Sequence, residues 1–296
     1  MKTACFMPVF CLLLSASGAG DEIRYAKPQL LMEPEELARP AVAPHYVILD
    51  ARKREAFETE HIPGARWVDH DAWRAEFEDG KDPAAWSRRI GDLGISSDSQ
   101  VVVYDEGKDT YGARIWWTLR YWGLEHVRLL NGGWHRWQLL ALPTNSEAAA
   151  AVPAAEFRVT ARNQRLATLD QVLDSLKENG WQIVDARTEA EHCGIDLLEN
   201  QRGGAIPHAK NLEWTAMFDP ETKQLKEAAE IKRLLNAAGI DLDRPTASHC
   251  QSGGRGAVMA FALELMGAEH VRNYYRGWSE WGNLETTPIM VPPASQ

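Results

Sequence analysis

The chain is predicted to be α/β, with two tandem domains, each a mainly parallel sheet with helices on both faces. Three observations carry this expectation. The 296 residues suffice for two domains of roughly 120–150 residues each. Apolar strand-like runs alternate with helical stretches, which is the rhythm of a parallel sheet covered by helices. The sequence also repeats itself. Gly123-Leu-Glu-His-Val-Arg128 returns as Gly267-Ala-Glu-His-Val-Arg272, an offset of 144. Continued to Trp137 and Trp281, this register pairs fifteen positions, eight of them identical. It also pairs Ile62-Pro63 with Ile206-Pro207 and Gly112-Ala113 with Gly256-Ala257, and sets Tyr104-Asp105-Glu106 against Ser248-His249-Cys250. Only the second copy then carries a nucleophile, implying one working site and one supporting half.

Residues 1–20 differ in kind from the rest. Lys2 precedes an apolar run from Ala4 to Leu14, and small residues follow in Ser15-Ala-Ser-Gly-Ala-Gly20. This reads as a secretory signal cleaved near Ala19 or Gly20, and the run is too short to span a membrane. The expected location is therefore periplasmic or secreted. The first domain is placed at 21–141. It holds a short helix at Glu33-Pro-Glu-Glu-Leu-Ala38, a strand at Tyr46-Val-Ile-Leu-Asp50 and a helix from about Lys53. The turn His61-Ile-Pro-Gly64 follows, then a charged helical segment over 71–90, a strand at Gln100-Val-Val-Val-Tyr104 and a helix over 112–122. His61 reads as a turn-stabilising residue.

Residues 142–165 read as an alanine-rich, proline-punctuated connector lying along the surface. The second domain, 166–296, restarts with a helix capped by Thr168 or Asp170. Its first strand, Trp181-Gln-Ile-Val-Asp185, closes on Asp185-Ala-Arg187, matching Asp50-Ala-Arg52. Asp50 to Ile62 is 12 positions and Asp185 to Ile206 is 21, so the second half carries nine extra residues, Cys193 among them. A strand at Thr246-Ala-Ser-His249 and a helix over 256–266 follow.

Composition excludes some classes of function. The chain is 45% apolar and 25% charged with a net charge of −10, which argues against a nucleic-acid surface. Seven of the twelve tryptophans lie in the repeats and are assigned to the cores. With the signal removed, only Cys193 and Cys250 remain; they form neither a disulfide framework nor a CxxC metal or redox motif. No metal and no cofactor are expected.

Cys250-Gln-Ser-Gly-Gly-Arg255 lies between a strand and a helix. The C-terminal end of a parallel strand is where open α/β sheets place their ligand sites. Backbone N–H groups of the turn, the helix N-terminus and Arg255 all favour thiolate over thiol at Cys250. Gly253 and Gly254 let the loop curl without Cβ clashes. The loop is thus both an activated nucleophile and an anion cradle.

With these residues the chain resembles the tandem-domain rhodaneses, the thiosulfate and 3-mercaptopyruvate sulfurtransferases. Phe57-Glu-Thr-Glu-His-Ile-Pro-Gly-Ala65 matches the family's N-terminal motif. Tyr275-Arg-Gly-Trp-Ser-Glu-Trp281 resembles its C-terminal motif, with Arg276 a departure, and Asn131-Gly-Gly-Trp134 is the first-half counterpart. The resemblance implies that Cys250 takes a sulfane sulfur from a small anionic donor. The resulting persulfide passes that sulfur to cyanide or a thiol, and a protein thiol fits the same acceptor role. It implies that Arg187 reaches the donor's anionic end, that Asp185 orients the strand end, and that Arg255, Ser252, Gln251 and Gly253 complete the donor-binding set. Arg52, with no cysteine to serve, is read as structural. The six-residue loop is one shorter than in phosphatase-like members, which favours sulfur over phosphate. Gln251 departs from the thiosulfate and mercaptopyruvate loops alike, whereas Ser252 and Gly253 match the mercaptopyruvate type and Arg255 many thiosulfate-type loops. Thiosulfate is the expected donor. A 3-mercaptopyruvate sulfurtransferase, a non-enzymatic persulfide carrier and a Cys193–Cys250 thiol–disulfide enzyme are the alternatives.

Overall fold

The computed structural model describes residues 23–79, 82–107, 110–147, 151–178 and 180–294. The signal segment thus lies outside the described residues. The first half runs β1 (Leu31–Met32), α1 (Pro34–Leu37), β2 (Val47–Asp50), α2 (Arg54–Thr59), β3 (Arg66–Trp67) and α3 (His70–Asp79). It continues with α4 (Pro83–Gly91), β4 (Val101–Tyr104), α5 (Tyr111–Tyr121), β5 (Val127–Leu130) and α6 (Gly133–Leu139). The second half runs α7 (Leu169–Glu178), β6 (Gln182–Asp185), α8 (Glu189–His192), β7 (Lys210–Asn211), α9 (Ala228–Ala237), β8 (Thr246–His249), α10 (Gly254–Leu265), β9 (Val271–Tyr274) and α11 (Gly277–Trp281).

Every paired strand is parallel, in the orders β1-β5-β4-β2-β3 and β7-β6-β8-β9. The central strands are short, wholly or almost wholly apolar in the first half, and buried on both faces, as a helix-covered parallel sheet requires. The expected helix over 71–90 is two helices. Pro83 opens the second at its N1 position, and the Asp82 carboxylate caps it by accepting from Ala84 N–H at 2.9 Å. The connector is pinned along the first half: Ala155 donates to Gly91, Thr160 to Trp122 and Arg162 to Tyr121, backbone to backbone. Phe157 leaves the connector's surface course and enters the core.

The strand register corrects the repeat alignment inside the nucleophile loop. Asp50 pairs with Tyr104 in the first sheet, and Asp185 pairs with His249 in the second. Trp134 N–H bonds the carbonyl of Asp105, and Trp278 N–H bonds the carbonyl of Cys250, each at 2.8 Å. Between β4 and β8 the offset is therefore 145, while the C-caps of α5 and α10, Trp122 and Met266, keep 144. The first-half loop is one residue longer. The carboxylate standing opposite Cys250 is Asp105, not Glu106, and His249 stands opposite Tyr104.

The two halves share one core. Helix α10 is buried along nearly its whole length and packs on α5, with Phe261 edge-on to Trp116 at 4.9 Å. Tyr275 stacks on Trp117 at 5.3 Å and leans on Phe77 at 4.7 Å. The segment before β1 crosses over as well, Lys27 N–H bonding the carbonyl of Leu265 at 3.0 Å. Phe261→Ala should therefore cost about 3–5 kcal/mol, and both halves should unfold in a single denaturant transition. Two resolved transitions in the wild-type protein would contradict a shared core.

Candidate active site

Cys250 directly follows β8 and is 2% exposed. It faces a pocket of about 350 Å³, open to solvent on one side. The loop supplies Gln251, Ser252, Gly254 and Arg255 to its wall, and Leu198 and Trp214 come from elsewhere in the second half. The other wall belongs to the first half: Thr110, Tyr111 and Arg114. Gly253 has φ +81°, and a Cβ there would stand 2.7 Å from the Tyr275 ring, so both conformation and space require glycine. A Cβ on Gly254 would meet Arg114 Nη2 at 2.6 Å, which shows how closely the first half is applied to the loop. Asn273 Nδ2 donates to the Gly253 carbonyl at 2.9 Å and pins the turn from below.

Arg114 is the residue that the sequence reading missed. Its Nη1 donates to the Ser252 carbonyl at 2.8 Å and to the Tyr275 hydroxyl at 2.7 Å. Among the described residues no carboxylate pairs with it. The sequence shows only an arginine interrupting the apolar run Ala113, Ile115, Trp116, Trp117 of α5, which marks it as unusual without naming what it meets.

Arg255 stands in the pocket as expected, but it is paired. Its Nη1 and Nη2 donate to the two carboxylate oxygens of Glu191 at 2.5 and 2.8 Å. Burial works against its charge, yet Glu191, and after it Cys250 and Asp185, hold its pKa above the usual guanidinium value. Burial likewise opposes ionisation of Glu191, and Arg255 overcomes it, leaving that carboxyl below its ordinary range. Ser252 lines the pocket with its own backbone carbonyl taken by Arg114. Gln251 also lines it, but its amide is engaged with Asn200 of the nine-residue insertion in two bonds of 2.9 and 3.1 Å. Its side chain ties the insertion to the loop rather than offering itself to a donor.

Arg187 does not line the pocket. It is 1% exposed, and its guanidinium is spent on its own half. Nε donates to both Asp185 oxygens at 2.9 and 3.1 Å, Nη2 to Asp185 Oδ2 and the Gly204 carbonyl at 2.6 and 2.7 Å, and its face lies 4.3 Å from the Trp278 ring. Arg52 repeats this arrangement on Asp50, the Glu60 carbonyl and Trp134. Both arginines lock a strand end to the helix packed beneath it. Arg187 commits Nε and Nη2 to its own half, and the arginines that line the pocket are Arg114 and Arg255. His61 is a turn residue, its Nδ1 2.8 Å from the Phe57 carbonyl and its ring stacked on Phe57.

The first-half loop displays what this turn does with an anion. Asp105, in the position of Cys250, accepts from Gly107 N–H and Gly112 N–H at 2.8 Å each. Loop amides converge on a negative charge there. Beneath Cys250, His249 is fully buried, and neither ring nitrogen has a well-formed hydrogen bond among the described residues. Burial pushes its pKa down to about 4, against the pull of Asp185 3.7 Å away. Cys193 is buried at the end of α8, and burial, then Glu189, pushes its thiol pKa up.

Arg52→Ala and Arg187→Ala should each destabilise the protein by about 3–5 kcal/mol, since each strands a buried carboxylate. A loss confined to Arg187→Ala kinetics, with unchanged denaturant midpoints, would restore the donor-contact role. The depressed His249 pKa means that the unfolded chain takes up a proton below pH 6.5 that the folded chain refuses until about 4. Stability should fall as pH drops through that window, and His249→Tyr, which installs the first-half residue, should flatten the fall. An equally steep pH dependence in that variant would exclude His249 as the cause.

Comparisons with known proteins place the fold in a family. The family model for the rhodanese-like domain matches twice, over residues 33–140 and 168–284. A thiosulfate sulfurtransferase of Pseudomonas aeruginosa is 32% identical over 266 residues, 88% of this chain and 97% of that one. A 3-mercaptopyruvate sulfurtransferase of Escherichia coli K12 is 31% identical over 246 residues, 81% of this chain and 86% of the other. The crystal structure of SseA from Escherichia coli, a 3-mercaptopyruvate sulfotransferase, superimposes with a TM-score of 0.76 at 29% identity, covering 84% of this chain and 98% of that one. With two matched domains and relatives of this likeness over most of its length, the chain belongs to the rhodanese-like domain family.

Proposed function

We propose that the protein is a sulfurtransferase that moves a sulfane sulfur from thiosulfate to a thiophilic acceptor through a persulfide on Cys250. The observation that carries the reading is the single thiol at the end of β8, in a six-residue loop facing a pocket that also holds Arg114 and Arg255. The Cys250 thiolate attacks the outer sulfur of thiosulfate. A sulfur–sulfur bond forms to the protein, the bond to the sulfonate sulfur breaks, and sulfite leaves with that electron pair. Cyanide or a thiolate then attacks the terminal sulfur, and the thiolate of Cys250 is regenerated as leaving group. Arg114 would meet the donor's sulfonate oxygens with charge-assisted hydrogen bonds, and Arg255 would hold the negative charge that alternates between thiolate and persulfide.

Arg114, beside an Arg255 whose charge Glu191 largely offsets, supports thiosulfate over 3-mercaptopyruvate, which brings one carboxylate in place of a doubly charged head. Cys250→Ser should abolish thiocyanate release from thiosulfate and cyanide, while Cys193→Ser should leave it largely intact, because Cys193 lies outside the pocket wall. Equal losses would support a two-thiol enzyme, and a wild-type protein faster with 3-mercaptopyruvate would overturn the choice of donor. The segment 1–20 supports export to the periplasm or beyond the cell. The mature protein should begin near residue 20 on N-terminal sequencing, and a chain still starting at Met1 would refute export.

A further inference from the structure

Glu191 and Arg255 occur only in the half that carries the cysteine. The strand-end Asp-Ala-Arg sequences put Glu191 opposite Ala56, and the helix register puts Arg255 opposite Tyr111. The Glu191 side chain is 4% exposed and that of Arg255 19%, and both hydrogen bonds between them are short. A pair this well shielded cancels most of the charge that Arg255 would otherwise present to the pocket. Arg114, without a carboxylate partner among the described residues, is then the cation left to meet a donor. Glu191 also serves the local fold. With Thr188 it forms the capping box of α8, its N–H bonded to Thr188 Oγ1 at 3.2 Å and its Oε2 accepting from Thr188 N–H at 3.2 Å. The charge role and the cap role can therefore be separated.

We infer that Glu191 is a specificity-determining residue that limits the pocket's hold on anions, so that the sulfonate-type product leaves and doubly charged donors are not bound too tightly. The inference rests on the sulfurtransferase reading for its kinetic consequence, though not for its binding consequence. An enzyme that releases one dianion after accepting another gains nothing from ground-state affinity beyond saturation. Freeing Arg255 should deepen binding of thiosulfate, sulfite and sulfate together. The gain should be smaller for a monoanion, and it should shrink as salt screens the charge.

The test compares wild type, Glu191→Gln and Thr188→Ala. Glutamine keeps the shape and the capping bond while removing the charge, whereas Thr188→Ala weakens the cap and keeps the carboxylate. For Glu191→Gln, KM for thiosulfate and the inhibition constant for sulfate should each fall about five- to tenfold, as expected when a buried cation loses its partner. KM for 3-mercaptopyruvate should fall less, kcat should not rise, and Thr188→Ala should leave all of these near wild type. A rise in KM for Glu191→Gln, unchanged anion affinity, or the same shift in both variants would overturn the inference. Protection of Cys250 against iodoacetamide by sulfate, followed by peptide mass spectrometry, reads anion affinity in the pocket without turnover. If the wild type transfers no sulfur, the functional reading fails on its own. Stronger protection in Glu191→Gln would still uphold the charge role of Glu191, and equal protection would remove it.

Discussion

Arg114 joins the two halves at the cysteine loop. It projects from a first-half helix, yet its hydrogen bonds go to the carbonyl of Ser252 and the hydroxyl of Tyr275 in the second half. A buried guanidinium is costly unless its donors are satisfied, so this contact fixes the spacing of α5 and α10 as well as the curl of the cysteine loop. The packing of Phe261 on Trp116 and of Tyr275 on Trp117 supplies the apolar force behind it. The half without a nucleophile is thus a wall of the active site and not merely a relic.

The duplicated plan lets one half carry a thiol and the other a carboxylate at the same strand end. At the strand end where the second half has Cys250, the first has Asp105, whose carboxylate fills the amide cradle. The Asp-Arg-Trp stack persists in both halves because it locks the sheet to the helix beneath it, whatever the loop above contains. Among the differences between the halves, Glu191, Arg255 and the insertion bearing Leu198 and Asn200 occur where the thiol is. Tyr104 bonding Asp50 in one half, and His249 near Asp185 without a hydrogen bond in the other, show the same strand end solved with different polarity.

Much of this is legible in the sequence. The fold class, the strand–loop–helix around Cys250 and the presence of Arg255 in the site all follow from periodicity, glycine placement and the repeat. The residue opposing Cys250 is misread by one position because the length difference falls inside a loop with no identities to anchor it. Arg187 lies outside the pocket wall because Asp185, the Gly204 carbonyl and the Trp278 ring draw it to its own half, partners that the sequence around it does not announce. Strand β1 escapes notice because two residues carry no periodicity, and its second-half counterpart is reduced to a single bridge between Leu166 and Asn273. Arg114 lies in the half without a nucleophile, and nothing in its neighbours along the chain reveals that the cysteine loop folds against it.

The central claim is that one thiol, completed by both halves, carries the transferred sulfur. Mass spectrometry of the protein after incubation with thiosulfate, without acceptor, tests it most directly. The account predicts one added sulfur atom per chain, on the peptide containing Cys250, removed on addition of cyanide. Sulfur found on Cys193, on both cysteines, or on neither would contradict it.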